Sequence, residues 1–103
     1  MSVVVSFVTP RGIGSVDAPA IGGCRVRETI TVPGTTMAAV ADGEMVLISS
    51  GESAIVLAAH GTVPDAAAAA QTAATSAGYP IPTSGFIPVM AKVGDRINIK
   101  ALV

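Results

Sequence analysis

From Cys24 to Val32 the side chains alternate, with Arg25, Arg27, Thr29 and Thr31 on one side of an extended backbone and Val26, Ile30 and Val32 on the other. A period of two belongs to a strand with one wet face and one apolar face, and it excludes a helix over these residues. Glu28 breaks the pattern, because it falls among the inward Val and Ile positions. A carboxylate there must be paired, or lie where the sheet meets another chain, or occupy a frayed edge position. Arg25 or Arg27 of a neighbouring copy could supply that partner, and the frayed or edge position fits at least as well.

Once one strand is fixed, the turn residues divide the rest of the chain into further strands. Ser2 to Val8 is Val-rich and ends at Pro10-Arg11-Gly12, after which Gly12, Gly14 and Pro19 predict a loop reaching Gly22-Gly23. Pro33-Gly34 predicts a type II turn, since Pro sets φ and Gly accepts a positive one. Met37–Ala41, Glu44–Ile48 and Ala54–His60 read as strands, joined by an Asp42-Gly43 hairpin and a Ser49–Glu52 turn, so the middle reads as a meander. Pro80 and Pro82 hold the chain extended. Phe86-Ile87-Pro88-Val89 is a strand at an edge or with a bulge, because Pro88 has no N–H for a central ladder. Gly94-Asp95 turns into Arg96–Leu102, with Arg96, Asn98 and Lys100 toward water and Ile97, Ile99 and Ala101 inward.

Roughly six or seven such strands predict one all-β domain over residues 1–103, a small β-sandwich, jelly roll or barrel. Asp65 to Gly78 is the ambiguous part. Asp65 is a good cap and Ala66–Ala70 has high helix propensity, but the Thr and Ser residues favour irregular structure and no apolar stripe is present. Either a short helix or an irregular insertion fits, and in both cases it is a candidate contact surface.

Composition limits the function classes. Of 103 residues, 50% are hydrophobic and 13% charged, against about 25% charged in an ordinary soluble domain. Either a membrane or neighbouring subunits must cover such an exterior. No run approaches the roughly 18 apolar residues of a spanning helix. The opening residues lack the basic segment of a signal peptide, and a membrane barrel would need several chains to pool strands. Subunit contact is therefore the expectation, with no membrane. A net charge of -1 and 3% aromatics leave neither a phosphate-binding stripe nor a stacking platform, so nucleic acid is not an expected partner. The single cysteine, Cys24, cannot close an internal disulfide.

The residues that could carry chemistry are sparse. His60, the single histidine, ends an apolar strand and reads as a structural or rim residue, since the serines Ser49, Ser50 and Ser53 on the next hairpin are turn formers. Cys24 reads as a small buried hydrophobe. Asp42, Asp65 and Asp95 adjoin Gly or Pro and read as turn or cap residues, while Asp17, Glu44 and Glu52 form no spaced carboxylate pair. Arg11-Gly12-Ile13-Gly14 is not followed by a helix, so no phosphate loop is expected. We assign no catalytic, cofactor-binding or metal residue and expect no cofactor.

The runs Thr35-Thr36-Met37-Ala38-Ala39-Val40-Ala41-Asp42-Gly43-Glu44, His60-Gly61-Thr62-Val63-Pro64-Asp65-Ala66-Ala67 and Gly94–Leu102 resemble small virion proteins of tailed bacteriophages, as does the poverty in aromatics. The resemblance implies a β-sandwich or jelly roll bound outside the head as a decoration or cement subunit. It further implies a homo-oligomer, with a trimer favoured, and the major capsid protein as partner. The virion is then the location, after synthesis in the host cytoplasm. No catalytic residue comes with it. The Val-rich first strand is the element expected to pair across an interface. A second class, a tail-associated or cell-surface binding module, would use loops 13–19 and 64–84 to hold carbohydrate or protein, although scarce aromatics disfavour sugar stacking. A shell-forming oligomer of a cellular compartment is a third class.

Overall fold

A computed structural model describes residues 2–13 and 16–102. These residues form strands and no α-helix: β1 (Ser2–Ile13), β2 (Val16–Thr31), β3 (Gly34–Thr35), β4 (Met45–Ser50), β5 (Val56–Gly61), β6 (Tyr79–Ile81), β7 (Gly85–Val89) and β8 (Arg96–Ala101). They make two four-stranded antiparallel sheets, ordered β2-β1-β4-β7 and β3-β8-β5-β6. The first sheet is here called A and the second B.

Alternation in each strand supplies one shared core. Val3, Val5, Phe7, Ile30, Val46, Ile48 and Val89 enter it from sheet A, and Val56, Ala58, Ile81, Ile97 and Ile99 from sheet B. Most of these side chains are fully buried. Each such Val, Ile or Phe contributes about 1.5–3 kcal/mol of transfer free energy. The strand over 24–32 carries Val26 and Ile30 inward as expected, and β8 does the same with Ile97 and Ile99.

Several local expectations are overturned. Sheet pairing runs through the predicted 10–23 loop: Pro10 opposes Ile21, Arg11 opposes Ala20, Gly12 opposes Pro19 and Ile13 opposes Val16. Register shifts after Phe7, Thr9 and Gly12 leave Arg25, Gly22 and the pair Asp17-Ala18 as extra residues of β2, which is what bulges do. Gly14 and Ser15, in the predicted loop, lie outside the described residues. Because β4 reaches only as far as Val8 on β1, residues 9–13 and 16–23 form a two-stranded ribbon beyond the sheet. The longest dimension of the molecule is 43 Å.

The middle of the chain is not a meander. Strand β4 pairs with β1 and β7 in sheet A, while β5 pairs with β6 and β8 in sheet B. Residues 37–41 are not a strand, although Asp42-Gly43 does turn, with φ of 77° at Gly43 and an Ala41 carbonyl accepting from Glu44 N–H at 3.1 Å. Pro33-Gly34 makes no type II turn either. Gly34 starts β3 opposite Ile99, and a Cβ there would come within 2.6 Å of the Thr31 carbonyl oxygen. The glycine serves close approach rather than a positive φ. Pro88 lies in an edge strand, β7, as its missing N–H requires.

Candidate interaction surfaces

The outward face of sheet A is read from the register. Thr29, Val4, Ser49 and Phe86 form one row across the four strands, and Arg27, Ser6, Leu47 and Pro88 form the next. Arg27 is the one charged side chain in these two rows. Phe86 is 65% exposed, and Met90, just past β7, is 77% exposed. Phe86 and Met90 therefore meet solvent at the β7 side of the sheet, while Val4 and Leu47 in the same two rows are half-buried among Thr29, Ser49 and Ser6. Exposed apolar side chains grouped in this way are candidates for contact.

Sheet B presents the opposite arrangement. Ala59 and Asn98 oppose each other and point away from the core, yet both are buried. The cover is the Ala-rich segment 62–78, an irregular excursion with no helix. Asn98 Oδ1 accepts from Ala66 N–H at 2.8 Å, while its Nδ2 donates to the Gly34 carbonyl at 3.1 Å and to Thr35 Oγ1 at 2.9 Å. Strand alternation predicts Asn98 toward water; the excursion encloses it instead. Ser76 N–H donates to the His60 carbonyl at 2.8 Å, and His60 N–H donates to Ser76 Oγ at 3.0 Å. Lys100 Nζ meets Asp65 Oδ1 at 2.7 Å and holds that carboxyl below its ordinary range. Gly61 and Gly78 let the excursion touch the sheet, for a Cβ at either would collide with the carbonyls of Ala74 or Ala66.

Glu28 faces inward as its position predicts, but no neighbouring copy is needed to satisfy it. Its carboxylate accepts from Met37 N–H at 3.0 Å and Ala38 N–H at 2.8 Å. Arg25 is the extra residue of the first bulge, between the Phe7–Val26 and Val8–Cys24 pairs. That bulge turns it out of the predicted wet row. Its guanidinium lies 5.8 Å from the centre of the Phe7 ring and forks onto Glu44 at 2.8 and 3.0 Å, with a further bond to the Ala39 carbonyl. The hydrogen bonds from Arg25 hold the Glu44 carboxyl below its ordinary range, and Glu44 also accepts from Ala41 N–H. Sequence reading misses Glu44, Arg25 and Asn98 as organisers. The Asp42–Glu44 turn is the available signal for the first pair.

His60 does not meet a serine hydroxyl through its ring. Its Nδ1 lies 3.2 Å from the Tyr79 hydroxyl, and burial pushes the Tyr79 phenol up to about 12. The two rings border an open groove of about 370 Å³ between the β6 and β7 edges, with Ile87 and Met90 on the other wall. A smaller pocket of about 130 Å³ opens on the other side of His60, toward Gln71, Thr75, Lys92 and Asp95. Cys24, predicted to be buried, is exposed. Among the described residues, no group of three His, Cys, Asp or Glu side chains is placed to hold a metal ion. No helix among them is long and apolar enough to cross a membrane.

The two sheets have four edges: β2, β7, β3 and β6. Strand β7 contains Pro88, β6 contains Pro80, and β3 is two residues long directly after Pro33. Proline and brevity are common protections against strand addition. Strand β2 runs 16 residues with Pro19 as its single proline. The Val-rich strand β1, by contrast, is paired on both sides from Val3 to Val8. Over Val3–Val8 it has no free edge to offer a strand of another chain. Searches of protein-family models, curated proteins and solved structures find no match to this chain.

Proposed function

We propose that this chain is a structural virion protein, a decoration or cement subunit that stabilises a bacteriophage head by contact and without catalysis or a cofactor. In this reading its two sheets pack as a β-sandwich, made in the host cytoplasm and carried on the particle. Its partners are further copies of itself and the major capsid protein. The observation that carries the reading is the β7 side of sheet A, where Phe86, Pro88 and Met90 are exposed and Arg27 is the one charge in the two outward rows. The same chain covers sheet B with its own excursion. The thin charge of the whole sequence agrees with a surface spent on contacts.

The test is addition of purified protein to heads made without it, followed by particle mass spectrometry and heating. Saturable incorporation and a raised head-rupture temperature are expected. Absence of the chain from washed particles rejects the reading. A second reading, a binding module, draws on the groove beside His60 and Tyr79. Saturable binding of a soluble peptide or glycan that Tyr79→Phe abolishes, with heads unaffected, would favour it.

A further inference from the structure

We infer that the two cavities beside His60 form one composite site for a free α-amino acid with a large apolar side chain, an aromatic one above all. The cavities meet along His60 and Met90, which line both. On one side lies the groove of about 370 Å³, walled by Tyr79 and Pro80 of β6 and by Ile87 and Pro88 of β7. That volume is at the lower end of small-ligand sites. Pro80 and Pro88 remove ladder donors from both walls, so an occupant is held by packing rather than by strand addition. The His60 and Tyr79 rings, with centres 5.9 Å apart and planes tilted by 51°, offer aromatic surface. Exposed Met90 adds an adaptable thioether that can close over a ring.

The smaller pocket, of about 130 Å³, supplies the polar end. Its hydroxyls are committed within the chain. Thr72 Oγ1 accepts from the Ala74 and Thr75 N–H groups, Thr75 Oγ1 donates to the Ser76 carbonyl, and Ser76 Oγ donates to the Ala77 carbonyl. Three other groups are left for a ligand. The ammonium of exposed Lys92 is in neither ion pair found among the described side chains, Arg25–Glu44 and Lys100–Asp65. Asp95 accepts the Lys92 N–H on Oδ2 at 3.0 Å, while its Oδ1 takes no bond from the described chain. His60 Nδ1 is engaged by the Tyr79 hydroxyl, and Nε2 has no such partner. Among the described residues no buried side-chain nitrogen or oxygen lacks a partner, so Oδ1 and Nε2 both reach the surface. One cation and one carboxylate in so small a pocket match the two charges on an α-carbon. The ligand carboxylate goes to Lys92 with His60 Nε2 beside it, the ammonium goes to Asp95, and the side chain crosses His60 and Met90 into the groove. A simple acid would set a like charge against Asp95, and a simple amine would set one against Lys92. This inference rests on the binding-module reading, whose groove it uses, and stands apart from head decoration.

Titration of the whole chain with L-phenylalanine, followed by NMR, tests the site. Saturable shifts at His60, Met90 and Lys92 are expected, with a Kd of about 0.1–1 mM. N-acetylphenylalanine and phenylalaninamide each carry one of the two charges and should bind about tenfold more weakly. Glycine, with no side chain for the groove, should not saturate. Lys92→Met, a surface change, should weaken phenylalanine about tenfold and should not weaken phenylalaninamide. Asp95→Asn, which keeps an acceptor for the Lys92 N–H, should weaken phenylalanine similarly and spare N-acetylphenylalanine. Phenylalanine that binds no better than N-acetylphenylalanine, or equally well to Lys92→Met, overturns the assignment, as does the lack of any saturable shift. A peptide that fills the groove where phenylalanine does not overturns the ligand and leaves the binding-module reading standing. Incorporation into heads is scored separately and is touched by none of these results.

Discussion

The outward faces of the two sheets are treated in opposite ways by one chain. Over sheet B, residues 62–78 form a lid of small side chains stitched to the strands through backbone groups, the buried Asn98 amide, the Ser76 hydroxyl and the Lys100–Asp65 ion pair. Over sheet A, Phe86 stands largely uncovered by the described chain, with half-buried Leu47 beside it. The contrast teaches that low charge in this sequence has two separate causes. One part of the apolar surface is internal, hidden under a loop that sequence reading leaves outside the core. The other part is external and remains available to a partner.

Three experiments break or sharpen that contrast. The largest effect falls on the covered side. Asn98→Ala removes the acceptor for the buried Ala66 N–H and the donor to the Gly34 carbonyl, so a loss of about 3 kcal/mol in urea unfolding is expected. Amide exchange should speed up across 62–78 and leave β1 and β4 unchanged. An unaltered midpoint would show that the lid does not depend on that amide.

The next effect lies at the rim of sheet A. Glu44 has its folded pKa depressed by Arg25, so its contribution is present above the ordinary carboxylate range and is lost as pH falls through the lower folded value. Wild type should therefore lose thermal stability on acidification more steeply than Glu44→Gln, which already lacks the pair at neutral pH. Parallel melting curves from neutral to acidic pH would contradict this. The smallest stability effect belongs to the bare face. Phe86→Glu should change unfolding free energy by under about 0.5 kcal/mol. The same protein should lose binding to heads, measured by co-sedimentation.

How far the sequence could be read follows from the same two sides. Alternation at 24–32 and 96–101 is local, and it places Val26, Ile30, Ile97 and Ile99 in the core without reference to any other segment. Pro88 likewise announces an edge, because a missing N–H is a local fact. Sheet membership is not local. Strands β4 and β5 are neighbours in sequence with a turn between them, and only distant partners, β1 and β8, decide that they part. Asn98 alternates with Ile97 and Ile99 as a solvent-facing residue should, and nothing within its strand reveals the lid above it. Ala-rich segments give no periodicity for a lid to show. The ribbon of residues 9–13 and 16–23 is hidden for another reason, since Pro10, Gly12, Pro19 and Gly22 sit at or beside register shifts and mimic loop chemistry. The uncovered face is legible only as an overall scarcity of charge, with no residue to attach it to.

The contact between Gly78 and Ala66, and that between Gly61 and Ala74, sets a size filter on evolution of the lid. Its chemistry can drift at exposed positions such as Ala69 and Gln71, whose side chains take no part in the bonds that fasten it. Bulk at positions 61 and 78 cannot be gained without lifting the segment. A library of single substitutions should thus sort there by side-chain volume, with polarity nearly irrelevant.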